Sequence, residues 1–201
     1  MNYFQYGEKE IKYLQKKDNK LGIAIDRIGM IKRKTNPELF SALLSTIISQ
    51  QISTKAAITI NDRLLNLAGT FTAENINRLA LDQVQQCGMS FKKATYIKDM
   101  AHRIVTKDID FQGLHTLTDE GVIKVLTRLK GVGEWTGEMI LIHSLQRSDV
   151  LSFKDLAIRR GIKKLHGLDE LSKETFDAFR KIYSPYNTVA SLYLWEISKE
   201  A

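Results

Sequence analysis

Apolar residues recur at three- and four-residue spacing along almost the whole chain, and strict alternation is nowhere sustained. That spacing predicts a succession of helices and gives no strand signal of any strength. Residues 7–19 and 21–29 read as the first two helices. Asn36 stands where it can cap a third, with Pro37 at its first helical position. That helix carries Leu39, Phe40, Leu43, Leu44, Ile47 and Ile48 on a wide apolar face and ends at Ser49-Gln50-Gln51-Ile52. Ser53 caps residues 54–68, and two short helices over 73–80 and 81–87 are stopped by Gly88. Ser90 opens a helix over 91–105 whose Lys92, Lys93, Lys98 and Arg103 leave a basic outer side. Thr118 caps 119–130. Further helices are expected over 134–144, over 156–165 with Arg159, Arg160, Lys163 and Lys164, from Ser172 to about 183, and over 188–198 after Pro185. The chain shows no repeat and no low-complexity linker.

Between two of these helical patterns lies Leu129-Lys130-Gly131-Val132-Gly133-Glu134-Trp135-Thr136-Gly137. Two glycines around one valine predict a very tight hairpin, because glycine takes positive φ and has no Cβ to block a close approach. The helix that starts just after it directs backbone N–H groups and its positive dipole end outward. Such an end grips phosphate without reading sequence. A plain helical corner with glycines for packing is the other reading of the same residues. Asp155 follows 22 positions after Gly133, before Leu156-Ala157-Ile158. It reads as a helix N-cap, and equally as a carboxylate for a cationic transition state, since a helix N-terminus favours negative charge.

Composition sharpens this picture only in part. The 201 residues are 43% hydrophobic, enough for one domain or two small lobes. Thirty Lys and Arg against 23 Asp and Glu give a net charge of +7, with a pI near 9.4. That balance suits a polyanionic partner and is also what a plain basic surface would show. The single cysteine, Cys87, excludes an internal disulfide framework and a four-cysteine iron–sulfur cluster, and reads as a small buried thiol. His102, His115, His143 and His166 are scattered without metal-ligand spacing, so no metal site is expected. Residues 1–20 are polar, and no run is of spanning length, so a cytoplasmic protein without a membrane partner is expected.

The two tryptophans, Trp135 and Trp195, are candidates for core packing or for flat walls against an extruded base. An electron-poor base stacks best on an indole. Tyr186, Tyr193 and Met139 could add to such walls. Gln50 and Gln51 sit at a helix end, either as a polar terminus or as a side chain pushed into a duplex where a base has left.

These residues resemble the helix-hairpin-helix DNA glycosylases, and within them the 3-methyladenine DNA glycosylase II branch. Four stretches carry the resemblance: residues 40–53, 129–137, Asp155-Leu156-Ala157-Ile158-Arg159-Arg160-Gly161, and Pro185-Tyr186 through Leu194-Trp195. It implies an all-α fold of two helical lobes with a helix-hairpin-helix motif. An inner lobe of about 36–144 would include the hairpin 129–137. An outer lobe would combine 1–35 with 145–201, and the active-site cleft would lie between them. Asp155 matches the catalytic aspartate. Trp135 stands where glycosylase/lyase members carry a nucleophilic lysine, so no Schiff base with the sugar is expected. Trp135, Met139, Tyr186 and Trp195 would form the base pocket, and Gln51 matches the inserted wedge. DNA contacts would come from Gln50, Gln51 and Ser53, from Lys130, Gly131, Val132, Gly133 and Thr136, and from Arg159 and Arg160.

The chain departs from the family pattern at Lys154, where a second Asp or a Pro-containing loop is frequent, and it lacks the iron–sulfur motif of the endonuclease III branch. The implied activity is a monofunctional glycosylase that removes N-alkylated purines, 3-methyladenine above all, from duplex DNA. It would act as a monomer without a cofactor, although hairpin carbonyls could hold a structural monovalent cation. A glycosylase for oxidised or deaminated bases, and a non-catalytic DNA-binding module, stay open beside it.

Overall fold

A computed structural model describes residues 2–200. Its elements in chain order are strand β1 (Asn2–Tyr3), helices α1 (Glu8–Lys17) and α2 (Asn19–Ile28), and strand β2 (Lys34–Thr35). Helices α3 (Leu39–Ser49), α4 (Thr54–Ala68), α5 (Ala73–Arg78), α6 (Leu81–Gln86) and α7 (Phe91–Val105) follow, then a 3-10 turn at Gly113–Thr116. The chain closes with α8 (Asp119–Leu126), α9 (Glu134–His143), α10 (Leu156–His166), α11 (Lys173–Tyr183) and α12 (Asn187–Ile197). The fold is all-helical apart from one antiparallel pair, Asn2 opposite Thr35 and Tyr3 opposite Lys34. Two residues per strand are too few for an alternating pattern to register in the sequence. The chain divides into two compact units, one taking the residues up to Thr35 and from Leu141 onward, the other Asn36–Ile140. Among the described residues, no helix is long and apolar enough to cross a membrane.

In the Asn36–Ile140 unit, α3 supplies the core with Leu43, Leu44, Ile47 and Ile48, all fully buried. Asn36 does not cap this helix directly. Its Oδ1 accepts from Glu38 N at 3.1 Å, and the helix begins after Glu38, two residues later than the Asn-Pro signal suggests. A larger correction concerns α7, where Lys92 is exposed but Lys93 and Lys98 do not add to an outer basic side. Lys93 Nζ donates to Ile48 O at 2.8 Å and to Gln50 O, at the end of α3. Lys98 Nζ donates to the carbonyls of Ile76, Asn77 and Leu79 at the end of α5. Helix C-termini leave carbonyls without intrahelical partners and carry partial negative charge, so ammonium groups are drawn to them. Burial lowers the pKa of both lysines. Cys87 is buried, with its thiol pushed up by desolvation.

In the other unit, α12 is buried almost throughout and packs against α10. The approach is so close that a Cβ on Gly161 would lie 2.2 Å from Leu194 O. Asp18 caps α2 through the amides of Lys20 and Leu21. Its other oxygen accepts from Tyr183 Oη at 2.7 Å and lies 3.2 Å from His166 Nε2. Burial pushes the Asp18 carboxyl up, but the bonds from His166, Tyr183 and the Leu21 amide outweigh it and hold the pKa at about 2.

Candidate active site

The hairpin is built from α8 outward. The helix ends at Leu126, four residues before the expected limit, because Thr127, Arg128 and Leu129 turn back onto Ile123, Val125 and Leu126 carbonyls. Val132 N then donates to Leu129 O at 3.1 Å, which closes the turn. The two glycines have different grounds. Gly131 has φ +82, and a Cβ there would stand 2.4 Å from Tyr96 Cδ2 on α7. Gly133 has no positive φ, and a Cβ there would meet nothing within 4 Å. The fold therefore requires glycine at 131 and not at 133. Arg103 on α7 adds a second pin, with Nη1 donating to Arg128 O at 2.6 Å.

Gly133 O accepts from Gly137 N at 3.0 Å, so Gly133 is the residue from which α9 starts. Its own amide has no acceptor among the described residues. Around it, Lys130 is 66% exposed with Asp99 at 3.9 Å, and Trp135 is 38% exposed. Val132 and Thr136 are buried. Any contact they make with a ligand is therefore limited to the backbone, because their side chains turn into the unit. Met139 is also buried on α9.

Gln50 and Gln51 separate in role. Gln50 turns inward, and its Nε2 donates to Gly131 O at 2.9 Å. Gln51 is exposed, with φ +56. Ser53 uses its hydroxyl to cap α4 through Ala56 N at 3.2 Å.

Asp155 stands at the head of α10 in the other unit, only 7% exposed. Its Oδ1 accepts from Ala157 N at 2.9 Å and Ile158 N at 3.0 Å, as an N-cap carboxylate does. The segment that presents it is anchored by polar residues of α11 and α12. Thr188 Oγ1 donates to Arg147 O at 2.6 Å and accepts from Val150 N at 3.0 Å. Ser191 Oγ donates to Val150 O at 3.0 Å, and Arg180 Nη2 to Leu151 O at 2.7 Å. Asp149 accepts from Ser184 Oγ at 2.7 Å and from Asn187 Nδ2 at 2.6 Å. Sequence reasoning did not find these anchors. Their only signal is the run of Asn187, Thr188 and Ser191 on an otherwise apolar helix.

His143 was also missed. Its ring stacks on Trp195 with centroids 5.6 Å apart and planes 20° apart. The Arg33 guanidinium lies 5.3 Å from the Trp195 ring and 3.2 Å from Glu196. Burial and then Arg33 lower the His143 pKa to about 4, against the opposing pull of Asp155. The imidazole is therefore neutral near pH 7.

The remaining candidates are spread more widely. Tyr186 is half-buried and meets Tyr13 edge-on at 5.1 Å. Tyr193 is fully buried and donates to Gly29 O at 3.2 Å, so it is a core residue and no pocket wall. Arg159 lies over the Phe153 ring at 4.8 Å, whereas Arg160 is exposed.

Comparison with known proteins agrees with this architecture. The model of the HhH-GPD superfamily base excision DNA repair proteins matches residues 44–185. DNA-3-methyladenine glycosylase 1 of Schizosaccharomyces pombe is 35% identical over 169 residues, covering 82% of this chain and 74% of its own. A crystal structure of DNA-3-methyladenine glycosidase from Bacillus halodurans superposes with TM-score 0.88 at 35% identity. It covers 99% of this chain and 93% of its own. A Schizosaccharomyces pombe 3-methyladenine DNA glycosylase in complex with abasic DNA superposes with TM-score 0.83 at 31% identity, covering 96% and 98%.

Proposed function

This chain belongs to the HhH-GPD superfamily of base excision DNA repair proteins, and from that premise we propose that it is a monofunctional DNA glycosylase. Its substrate is duplex DNA carrying an N-alkylated purine of the 3-methyladenine type. The observation that carries the reading is Asp155, a buried carboxylate fixed at the head of α10 by two backbone amides and an anchored approach. The relatives named 3-methyladenine glycosylases support the substrate class.

The chemistry follows from the substrate. Alkylation puts positive charge on the base, which weakens the N-glycosidic bond and makes a good leaving group. As that bond breaks, the base departs with the electron pair and the sugar gains oxocarbenium character. Asp155 then faces developing positive charge, and a placed charge of this kind is worth about 3–4 kcal/mol. Water adds to C1′ and gives up its proton, with the Asp155 carboxylate as acceptor. The products are free base and an abasic site. No metal or organic cofactor enters the proposed reaction. The Gly133 amide at the head of α9 holds a DNA phosphate, Gln51 fills the gap left by the extruded nucleotide, and Trp135 offers an exposed indole face to stack on. Trp135 supplies no amine, so the sugar is not captured covalently.

Base release from alkylated duplex DNA, measured beside oxidised and deaminated duplexes, tests this reading. Release of 3-methyladenine by the wild type and none by Asp155→Asn is the expected result. Release from oxidised DNA alone would assign another lesion class. Binding without any release would make the protein a DNA-binding module.

A further inference from the structure

We infer that Gln50 is a positioning residue that ties the Gln51 wedge to the phosphate-gripping hairpin, an inference that rests on the glycosylase reading. Gln50 leaves the end of α3 with φ −57 and ψ 129, and Gln51 next to it has φ +56. A glutamine in the left-handed region persists only where its surroundings hold it there. Two contacts do so. Lys93 Nζ bonds the carbonyls of Ile48 and Gln50, on the approach to Gln51. The Gln50 side chain then crosses to Gly131, 81 positions later, and donates to its carbonyl at 2.9 Å.

Gly131 is itself a positive-φ residue pressed against Tyr96. One amide therefore joins two positive-φ turns, one carrying the exposed Gln51 side chain and the other leading into α9. The donor must reach a carbonyl. Methionine has the length without the donor, asparagine has the donor without the length, and both break the tie. The hairpin keeps its pins from Tyr96 and Arg103 in either variant, so phosphate binding persists while the wedge loses its register.

Two measurements test this. The first uses duplex DNA with 2-aminopurine beside an abasic site, and reads the rise in emission as the wedge unstacks it. Gln50→Met should lose at least half of the wild-type rise while its Kd for undamaged duplex stays within about 3-fold. The second compares single-turnover base release from an alkylated purine in a fully paired duplex and from the same purine opposite a missing base. Gln50→Met should slow the first at least 10-fold and the second by no more than about 3-fold, because little extrusion is then needed. Gln50→Asn carries both tests if the methionine variant does not fold. An unchanged emission rise, or equal slowing on both substrates with a lowered melting temperature, overturns the inference. If the wild type releases no base, the glycosylase reading fails, and the emission measurement still decides the role of Gln50.

Discussion

Substituting alanine at the two hairpin glycines separates what the fold needs from what a ligand needs. At Gly131 the fold needs glycine, since φ is +82 and a Cβ would stand 2.4 Å from the Tyr96 ring. The left-handed conformation costs an alanine about 1–2 kcal/mol, and displacing a packed ring adds about 1–3 kcal/mol. Gly131→Ala should therefore lose about 2–5 kcal/mol of stability. At Gly133 a Cβ meets nothing within 4 Å. Alanine there weakens the N-cap by a few tenths of a kcal/mol and stiffens the unfolded chain by a similar amount, so stability should change by less than about 1 kcal/mol. Its cost falls on binding. A methyl at the mouth of α9 holds a phosphate off the Gly133 amide, and a hydrogen bond to a charged group is worth about 1.5–3 kcal/mol. Affinity should drop about 10- to 150-fold, equally for damaged and undamaged duplex, because the phosphate carries no base information. Thermal unfolding and fluorescence anisotropy at one fixed salt concentration measure the two quantities. Wild-type binding by Gly133→Ala, or a loss seen only with lesion-containing DNA, would refute the phosphate-grip reasoning.

Asp155→Asn should cut base release at least 100-fold while melting within a few degrees of the wild type, because the amide oxygen can still accept from Ala157 and Ile158 N–H; near-normal release would remove Asp155 from the catalytic role. Borohydride should trap no enzyme–DNA adduct; an adduct that disappears in Lys154→Ala would make Lys154 a lyase nucleophile. Gly161→Ala should lower stability by about 2 kcal/mol or more and slow base release with it, since the methyl would push α10 off Leu194 O and shift Asp155; unchanged melting would show that the two helices can part without cost. Acid should destabilise the protein in two successive windows. His143 has a folded pKa of about 4 against an ordinary 6.5, so the unfolded chain binds the proton first; its full stability is present above pH 6.5, and about 3 kcal/mol is lost as pH falls to 4. Asp18, at about 2 against 3.8, contributes about 2 kcal/mol that is present above pH 3.8 and lost as pH falls toward 2. Urea unfolding across pH 2–7 should show the upper slope vanish in His143→Phe, and a slope that survives there would contradict the assignment.

Most helix starts and the hairpin are local physics, and they were legible in the chain itself. Ser53, Ser90, Thr118, Asp155 and Ser172 each bond amides two or three residues ahead, so the sequence alone places them as caps. The apolar face of α3 and the turn forced by Gly131 were readable for the same reason, as were the motifs that placed the chain in its family. The tertiary structure decided what depends on which elements meet. Nothing local tells that Lys93 and Lys98 turn onto the ends of other helices, or that Gln50 reaches Gly131. Periodicity cannot separate Gly131, which the protein's own packing requires, from Gly133, which it does not. Nor does a lone histidine at a helix end announce that burial and Arg33 will leave it neutral on Trp195, within the field of Asp155. A cap is an interaction between near neighbours in the chain, and those are known before folding. Gln50 lies 81 residues from Gly131, His143 lies 52 from Trp195, and Thr188 lies 38 from Val150 and 41 from Arg147; only the packed helices bring them together.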